Sequence, residues 1–378
     1  MVNKMEVLSL ATERFRNLSD TVIEFGPRIN VLFGDNAQGK TNLIEAIWLF
    51  SGAKSFRGSK DSEMIAFGAE STALTLCFRD KQREQTAKIQ FGGNDKKKVW
   101  LNKVPLESQR KLSGSFYAVV FAPVHLSIIS EGPKNRRKFL DSAISQINPQ
   151  YADYLNRYEK VLQQRNCLLK DCYKNPSLRD TIELWDSQLA KIGSILTIYR
   201  KDYVSKLNEV AEKIYQGLSQ NKEKIQISYS STVFDENQKI SVYEDSVIER
   251  YFRALSEHLE EDIRTGMTSV GVQRDDLEVM IDGYSAKIYG SQGQKRSCAL
   301  TLKLAEASLL HSITGENPVI LLDDVMSELD AHRQDYILNH VKNDQVFITC
   351  CDISNALRLK QGQVFHLENG VISHQTQK

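Results

Sequence analysis

The stretch Gly34-Asp35-Asn36-Ala37-Gln38-Gly39-Lys40-Thr41 constrains this chain more than any other. It has the G-x-x-x-x-G-K-[ST] spacing of a P-loop. Ahead of it, Ile29-Asn30-Val31-Leu32-Phe33 is a short apolar run that reads as a buried strand. Behind it, residues 42–50 carry apolar side chains at helical spacing. Strand, Gly-rich turn and helix together aim successive backbone N–H groups into one concavity, and the helix N-terminus adds partial positive charge. Gly34 and Gly39 give the backbone room to wrap, Lys40 is expected to reach the terminal phosphates of a nucleoside triphosphate, and Thr41 is expected to hold Mg²⁺. The bland alternative is a chance match in an ordinary loop. At typical Gly and Lys usage that arises on the order of once in a hundred chains of this length, and the flanking strand and helix make it rarer still.

With 378 residues the chain is long enough for two or three domains. Its net charge of +1 marks no global nucleic-acid binder, so any DNA contact has to come from local patches. The cysteines at 77, 167, 172, 298, 350 and 351 form no C-x-x-C pair and lack histidines at zinc spacing. They read as reduced core cysteines of a cytosolic protein. Residues 1–5 lead straight into a strand-like run without the long apolar core of a signal peptide, and no window approaches a membrane span. The chain is expected to be soluble and cytoplasmic, with no membrane partner.

Residues 6–10 and 21–25 read as strands around a loop that places Arg16 or Asn17 near the nucleotide, with a solvated turn as the equal alternative. Strand-like runs follow at 72–78, 86–91 and 98–101, the last two joined by a turn at Gly92-Gly93-Asn94-Asp95. Lys96-Lys97-Lys98 extends that turn and reads as a solvated loop tip, DNA contact being the lesser alternative. Residues 116–121 form a buried-strand run closed by Ala122-Pro123. Next, Lys134, Arg136, Arg137 and Lys138 crowd a helix start, where the helix dipole disfavours positive charge. A bound anion, the phosphate of a nucleotide or of DNA, explains that cost better than four side chains splaying into water.

From about 140 to 265 the texture turns helical. Tyr151, Tyr154, Leu155, Tyr158, Val161, Leu162, Arg165 and Leu168 recur at helical spacing. A second stretch carries Trp185, Leu189, Ile192, Leu196, Tyr199, Tyr203, Leu207, Val210 and Ile214 in steps of four and three. Such seams imply antiparallel helices, with the aromatics as core rather than base-stacking platforms. A short strand at 225–229 and a helix at 246–263 complete this insertion. The expected organisation is α/β: an N-terminal lobe at 1–139, a helical insertion at 140–265 and a C-terminal lobe at 266–378.

In the last part, residues 277–281 and 285–289 read as a hairpin about Asp282-Gly283, running into Ser291-Gln292-Gly293-Gln294 and a helix. Residues 318–322 form an apolar strand ending in Asp323 and Asp324, with Ser327-Glu328-Leu329-Asp330 beyond. In a chain with a P-loop this is a Walker B element. Asp323 is expected to hold Mg²⁺, and Asp324 to orient or deprotonate the attacking water. A buried strand at 345–350 and an Asn-Gly hairpin at 364–372 follow. The turn at Ser291, Gly293 and Gln294 is a second candidate phosphate receptor at a helix start. One nucleotide cradled by 34–41 does not need both. The economical answer is an ATP-dependent homodimer in which each subunit's serine turn closes over the other's γ-phosphate.

These blocks together resemble the ABC-type ATPase heads of SMC-like DNA-repair proteins, and more closely the RecF family. The similarity rests on the P-loop with Asn42-Leu43, on Arg136-Arg137-Lys138-Phe139-Leu140-Asp141, on Gln273-Arg274-Asp275-Asp276-Leu277, on Ser291–Gln294, and on the stretch 322–330, in the right order over essentially the full length. The resemblance implies a P-loop ABC-type ATPase head with a helical insertion domain. It also implies weak, DNA-stimulated ATP hydrolysis coupled to dimerisation on duplex DNA near single-strand gaps, and recombination mediators of the RecO and RecR kind as partners. Three departures bear on the chemistry. Val124-His125 stands where the family usually has acidic residues, Gln273 replaces a family histidine, and Cys351-Asp352 occupies the switch position where ABC ATPases often carry His. They imply slow or differently tuned hydrolysis. A transporter ATPase subunit is disfavoured by the helical insertion, an SMC-like bridge by its shortness, and a metabolic kinase by the serine turn. The readings kept beside the first are an SMC-like structural ATPase and an ABC-type ATPase subunit of another assembly.

Overall fold

The structure, a computed structural model, describes residues 4–93, 95–235, 240, 243–351 and 362–375. The chain forms two compact units, Met1–Ser127 with Ala299–Lys378, and Ile128–Cys298. The second unit is wider than the insertion anticipated at 140–265: it also takes in the basic helix start and the serine turn.

The first unit opens with strands β1 (Glu6–Glu13) and β2 (Thr21–Glu24), paired antiparallel. Strand β3 (Ile29–Phe33) and helix α1 (Lys40–Trp48) flank the Gly-rich turn, as the apolar pattern demands. Strands β4 (Ser71–Arg79), β5 (Glu84–Gly92), β6 (Asp95–Leu101) and β7 (Val104–Leu106) extend a six-stranded sheet in the order β2-β1-β4-β5-β6-β7. Lys96-Lys97-Lys98 therefore lies within β6 and not at a loop tip, while Asn94 falls outside the described residues. The Lys97 stem runs along the sheet, and its ammonium sits 4.7 Å from the Phe91 ring centroid and 2.8 Å from Asp61. Strand β8 (Ala118–Phe121), buried at all four positions, ends at the one-turn helix α2 (Pro123–Leu126), which contains Val124-His125.

The second unit is built on helices α3 (Pro133–Ile147), α4 (Pro149–Lys174) and α5 (Ile182–Leu218). The seam read from the sequence is its core: Tyr151, Tyr158, Leu189, Leu196, Tyr203 and Leu207 are buried. Strand β9 (Ile225–Ser230) follows, and then α6 (Asp245–Glu257) and α7 (Leu259–Thr265), two helices where one was expected. Strand β10 (Asp276–Ile281) pairs with β9 and with β11 (Tyr284–Ser285). The second arm of that hairpin is only two residues long and gives way to the short helix α8 (Ala286–Tyr289). Of residues 286–289 only Ala286 is buried, while Ile288 and Tyr289 are exposed, so no inward-facing alternation rewards a longer strand. Helix α9 (Gln292–Thr314) begins directly after Ser291 and carries the chain back to the first unit.

The return supplies strand β12 (Val319–Leu322), helix α10 (Ala331–His340) and strands β13 (Val346–Cys350), β14 (Gln363–Glu368) and β15 (Val371–Gln375). With β3 and β8 they form a sheet in the order β15-β14-β3-β13-β12-β8, parallel except for the edge strand β15. Unbroken apolar runs such as Val319–Leu322 belong to a parallel sheet covered on both faces. Leu43, Ile47 and Phe50 pack in one cluster with Leu321 and Phe347, each contributing about 1.5–3 kcal/mol on burial. In such a sheet, ligands bind beyond the carboxyl ends of the strands. Here those ends deliver Gly34, Asp323 and Cys351 to the same edge.

Arg165, counted in the sequence as one position of an apolar seam, is 0% exposed. Its guanidinium joins α4 to Asp186 of α5 at 2.5 Å and to Asp262 of α7 at 2.6 Å. Arg165→Ala leaves two buried carboxylates without their cation and is expected to cost about 3–5 kcal/mol, read as a lowered urea midpoint. A second test uses Asp344, which accepts a hydrogen bond from Asn317 Nδ2 at 2.8 Å. Burial raises its pKa to about 6. The folded state thus favours the protonated acid, and that stability is present below the ordinary carboxylate range and lost as pH rises through about 6. Asp344→Asn is expected to stabilise the protein by about 1–2 kcal/mol at pH 8 after allowance for partial exposure, with the gain vanishing below about pH 4 in pH-dependent denaturation curves.

Candidate nucleotide site

Helix α1 starts with Gly39 in a left-handed conformation (φ 109°), without a side-chain cap and without an acidic residue in its first turn. Its orphan N–H groups are therefore available to an anion at the Gly-rich loop. Gly34 has φ 153°, and a Cβ there would run into the Leu367 carbonyl. The Lys40 ammonium is buried. It donates to the Gly34 carbonyl, to the Asp35 carbonyl at 2.8 Å, and to Cys351 Sγ at 3.4 Å. Cys351 Sγ also donates to Asn36 Oδ1 at 3.1 Å, and Asp352 lies outside the described residues. A cation held by two carbonyls and a thiol beside the uncapped start of α1 suits a polyphosphate.

Asp323, 3% exposed at the end of β12, accepts hydrogen bonds from Thr41 Oγ1 at 2.9 Å and Thr349 Oγ1 at 3.1 Å. Burial raises its pKa, while the two hydroxyls and the Arg57 charge pull it down. A hydroxyl and a carboxylate are hard oxygen donors, the chemistry Mg²⁺ takes, so Thr41 and Asp323 fit that ion. Asp324 is exposed and adopts φ 50°, a conformation that costs a non-glycine residue about 1–2 kcal/mol. Its N–H donates to Thr349 Oγ1 at 2.8 Å, and its carboxylate accepts from Ser327 Oγ at 3.1 Å. Thr349 thus orders both acids. Sequence reading missed it because its role depends on β13 lying between β3 and β12.

Two remote turns hold the loop from behind. Asn17 Nδ2 donates to the Ala37 carbonyl at 3.0 Å, and Asn17 Oδ1 accepts from Asn42 Nδ2 at 2.7 Å. In the β14–β15 turn, Asn369 N–H donates to Gln38 Oε1 at 2.5 Å and Gly370 N–H to the Gln38 carbonyl at 3.2 Å. Arg16, the other candidate in the β1–β2 connection, has its own set of partners. It pairs with buried Glu45 of α1 at 2.6 Å and donates to Ser59 Oγ at 2.7 Å and to the Glu63 carbonyl at 3.1 Å. Arg57 Nη1 donates to Asn42 Oδ1 at 3.0 Å, bringing to this edge a cation that no sequence motif marked.

In the second unit, Ser291 and Gln294 form a reciprocal capping box at the start of α9. Ser291 Oγ accepts from Gln294 N–H at 3.2 Å, and Gln294 Oε1 accepts from Ser291 N–H at 2.7 Å. Ser291 is exposed and Gly293 half-buried. The basic helix start needs correction. Arg136 is 4% exposed, forms a two-pronged pair with Asp276 at 2.7 and 2.8 Å, and donates to the Glu131 carbonyl at 2.9 Å. Arg137 donates to the Asp275 carbonyl at 2.8 Å. Asp276, 140 residues away in sequence, removes the need for an anion at Arg136. Lys134 and Lys138 are exposed. Gln273, in place of the expected histidine, accepts from Tyr158 Oη at 2.5 Å and donates to the Val270 carbonyl at 2.7 Å.

A P-loop joined through Thr41 to a strand-end aspartate, with a serine-capped helix start, defines an ABC-type ATPase head of the SMC kind. The Smc head domain of Pyrococcus furiosus shares this fold, with a TM-score of 0.54 at 16% identity over 98% of this chain and 96% of that one. The family model described as RecF/RecN/SMC N terminal domain matches residues 6–372. The chain is 40% identical over 349 residues to the DNA replication and repair protein RecF of Ruminiclostridium cellulolyticum, covering 92% of each. It is 37% identical over 368 residues to the RecF of Clostridioides difficile, covering 97% of each. Solved structures of the recombination mediator protein RecF-ATPrS and RecF-ATP in the RecFOR pathway each give a TM-score of 0.92 at 36% identity, covering 99% and 100% of this chain and 99% of those chains. The chain belongs to the RecF family of DNA replication and repair proteins.

The role of the hairpin turn is testable. Gly370 has φ 78°, and a Cβ there would strike the Asn17 carbonyl. Gly370→Ala is expected to weaken binding of a fluorescent ATP analogue about tenfold, roughly 1.4 kcal/mol, with the circular dichroism spectrum unchanged. Unaltered affinity would show that the turn does not support the loop.

Proposed function

We propose that this protein is an ATP-dependent DNA-binding protein of recombinational repair and replication-fork maintenance. It dimerises on ATP at duplex DNA next to single-strand gaps and hydrolyses ATP slowly to release. The observation that carries this reading is that one chain has two helix starts suited to phosphate. One, at α1, is uncapped and bonds through Thr41 to Asp323; the other, at α9, presents an exposed Ser291. A single bound nucleotide uses the first and leaves the second for the nucleotide of another subunit. Relatives named DNA replication and repair protein and solved RecF structures named with ATP support the same assignment.

In this mechanism Lys40 exchanges the Gly34 and Asp35 carbonyls for the terminal phosphates, and N–H groups of 34–41 cradle the rest of the polyphosphate. Thr41 and Asp323 would hold Mg²⁺, which when bound neutralises charge on the phosphate oxygens. Asp324, held out from the sheet edge by its left-handed backbone, orients or deprotonates the attacking water. The exposed Ser291 hydroxyl closes over the γ-phosphate of the second subunit. Cys351 at the switch position has no imidazole to offer, which suits slow turnover. DNA contact in the second unit falls to Lys134 and Lys138, the exposed members of the basic cluster. Recombination mediators of the RecO and RecR kind are the proposed protein partners, in the cytoplasm. At about 1.5 Å per residue the 26 residues of α4 and 37 of α5 are far too short for a long SMC rod.

Light scattering during size-exclusion chromatography tests the reading. A dimer is expected only with ATP, strengthened by gapped DNA. Ser291→Arg is expected to abolish that dimer while ATP binding at Lys40 stays within about twofold of wild type. A variant that loses ATP binding itself, or a wild-type protein monomeric under every condition, would sink the shared-site mechanism.

A further inference from the structure

The carboxamide of Gln294 can be turned either way in its place, and the two ends have opposite hydrogen-bonding character. Its Oε1 accepts from Ser291 N–H at 2.7 Å, while its Nε2 donates to Glu223 Oε1 at 2.8 Å, across 71 residues of sequence. A carboxylate offers only acceptors. With Glu223 in place, the NH₂ end has to face it, and the oxygen is left for Ser291. The reversed orientation would set an amide oxygen against a carboxylate and two N–H donors against each other at Ser291.

Glu223 is itself anchored. Its other oxygen accepts from Tyr215 Oη at 2.7 Å, and its carbonyl accepts from Ser219 Oγ at 3.3 Å. Tyr215 is buried in the last turn of α5, and its hydroxyl also meets the thiol of Cys298, which burial pushes up to about 12. The end of α5 therefore fixes Glu223, Glu223 fixes the Gln294 amide, and the amide fixes Ser291 N–H. Ser291 Oγ spends lone-pair capacity on Gln294 N–H and keeps its O–H for an outside acceptor.

From this geometry we infer that Glu223 is a positioning residue of the serine turn. It locks the Gln294 carboxamide in the one orientation that keeps the capping box closed and the Ser291 hydroxyl presented outward to phosphate. The inference deepens the shared-site reading and rests on it for its functional consequence, but the lock itself belongs to a single chain. Nothing in the local sequence around 291–294 announces Glu223, which lies in the connection between α5 and β9.

The test uses the full-length protein with Glu223→Ala, Glu223→Lys and Glu223→Gln. Three readouts are taken: amide hydrogen exchange of the segment containing Ser291 without nucleotide, ATP-dependent dimerisation by light scattering, and binding of an ATP analogue to the monomer. Glu223→Ala is expected to speed exchange at Ser291 and weaken the dimer, each about tenfold, the effect of losing one charge-assisted hydrogen bond. Glu223→Lys, which turns the carboxamide round, is expected to exceed both losses. Glu223→Gln keeps an acceptor oxygen and is expected to recover most of the wild-type behaviour. Analogue binding is expected to stay at wild-type values in all three, and the thermal midpoint to stay at wild type in Glu223→Gln, whose amide can still bond Tyr215 Oη. Unchanged exchange at Ser291 in the Ala and Lys variants would overturn the inference. So would an equal loss in all three accompanied by a fall in thermal midpoint, which would mark Glu223 as a support of the fold alone. If the wild-type protein stays monomeric with ATP and gapped DNA, the shared-site reading fails, and exchange at Ser291 alone then decides the role of Glu223.

Discussion

The hydrogen bond from Thr41 to Asp323 joins the start of α1 to the end of β12, and the rest of the first unit is arranged so that it can form. A carboxylate almost without water is costly. Asp323 is held there by two hydroxyl donors, one from the start of α1 and one from Thr349 on the intervening strand β13. The parallel register that sets Ile348 beside both Val31 and Leu322 brings all three strand ends to one level. The P-loop, the acids and Cys351 become a single edge because the sheet is parallel there.

The loop on that edge is not self-supporting. Its far side rests on Asn17, from the β1–β2 connection, and on the Asn369-Gly370 turn, more than three hundred residues further along. The turn residues Asn-Gly suit a tight hairpin for local reasons, yet here the same glycine makes room for the Asn17 carbonyl. One residue thus meets a local and a tertiary requirement at once.

The second unit follows a different logic, in which buried charge ties helices together. Arg200 in α5, fully buried, donates to Asp141 of α3 at 2.8 Å, to Tyr151 of α4 at 2.9 Å and to the Val272 carbonyl at 2.6 Å. Arg165 makes a similar node with Asp186 and Asp262. Arg136 and Arg137 are drawn to the 275–276 segment in the same way. Much of the unit's arginine charge is therefore spent on its own architecture, and the electrostatic surface left for a polyanion is narrower than the sequence suggests.

Local sequence determined the elements whose cause is local. The P-loop between Ile29–Phe33 and α1, the apolar strand ending in Asp323 and Asp324, the serine turn before α9 and the paired helical seams all follow from spacing and periodicity. The family resemblance was legible for the same reason, since its motifs are short and contiguous. Tertiary structure alone decided which partners meet: Thr349 with both acids, Glu45 with Arg16, Asp276 with Arg136, and Glu223 with Gln294. It also turned Lys96-Lys97-Lys98 from a loop tip into strand and shortened the arm after Asp282-Gly283. The physical reason is common to all of these. A side chain's charge and hydrogen-bonding capacity are written at its own position, but what they cost or gain depends on burial and on a partner tens to hundreds of residues away, which only the folded sheet and helix packing supply.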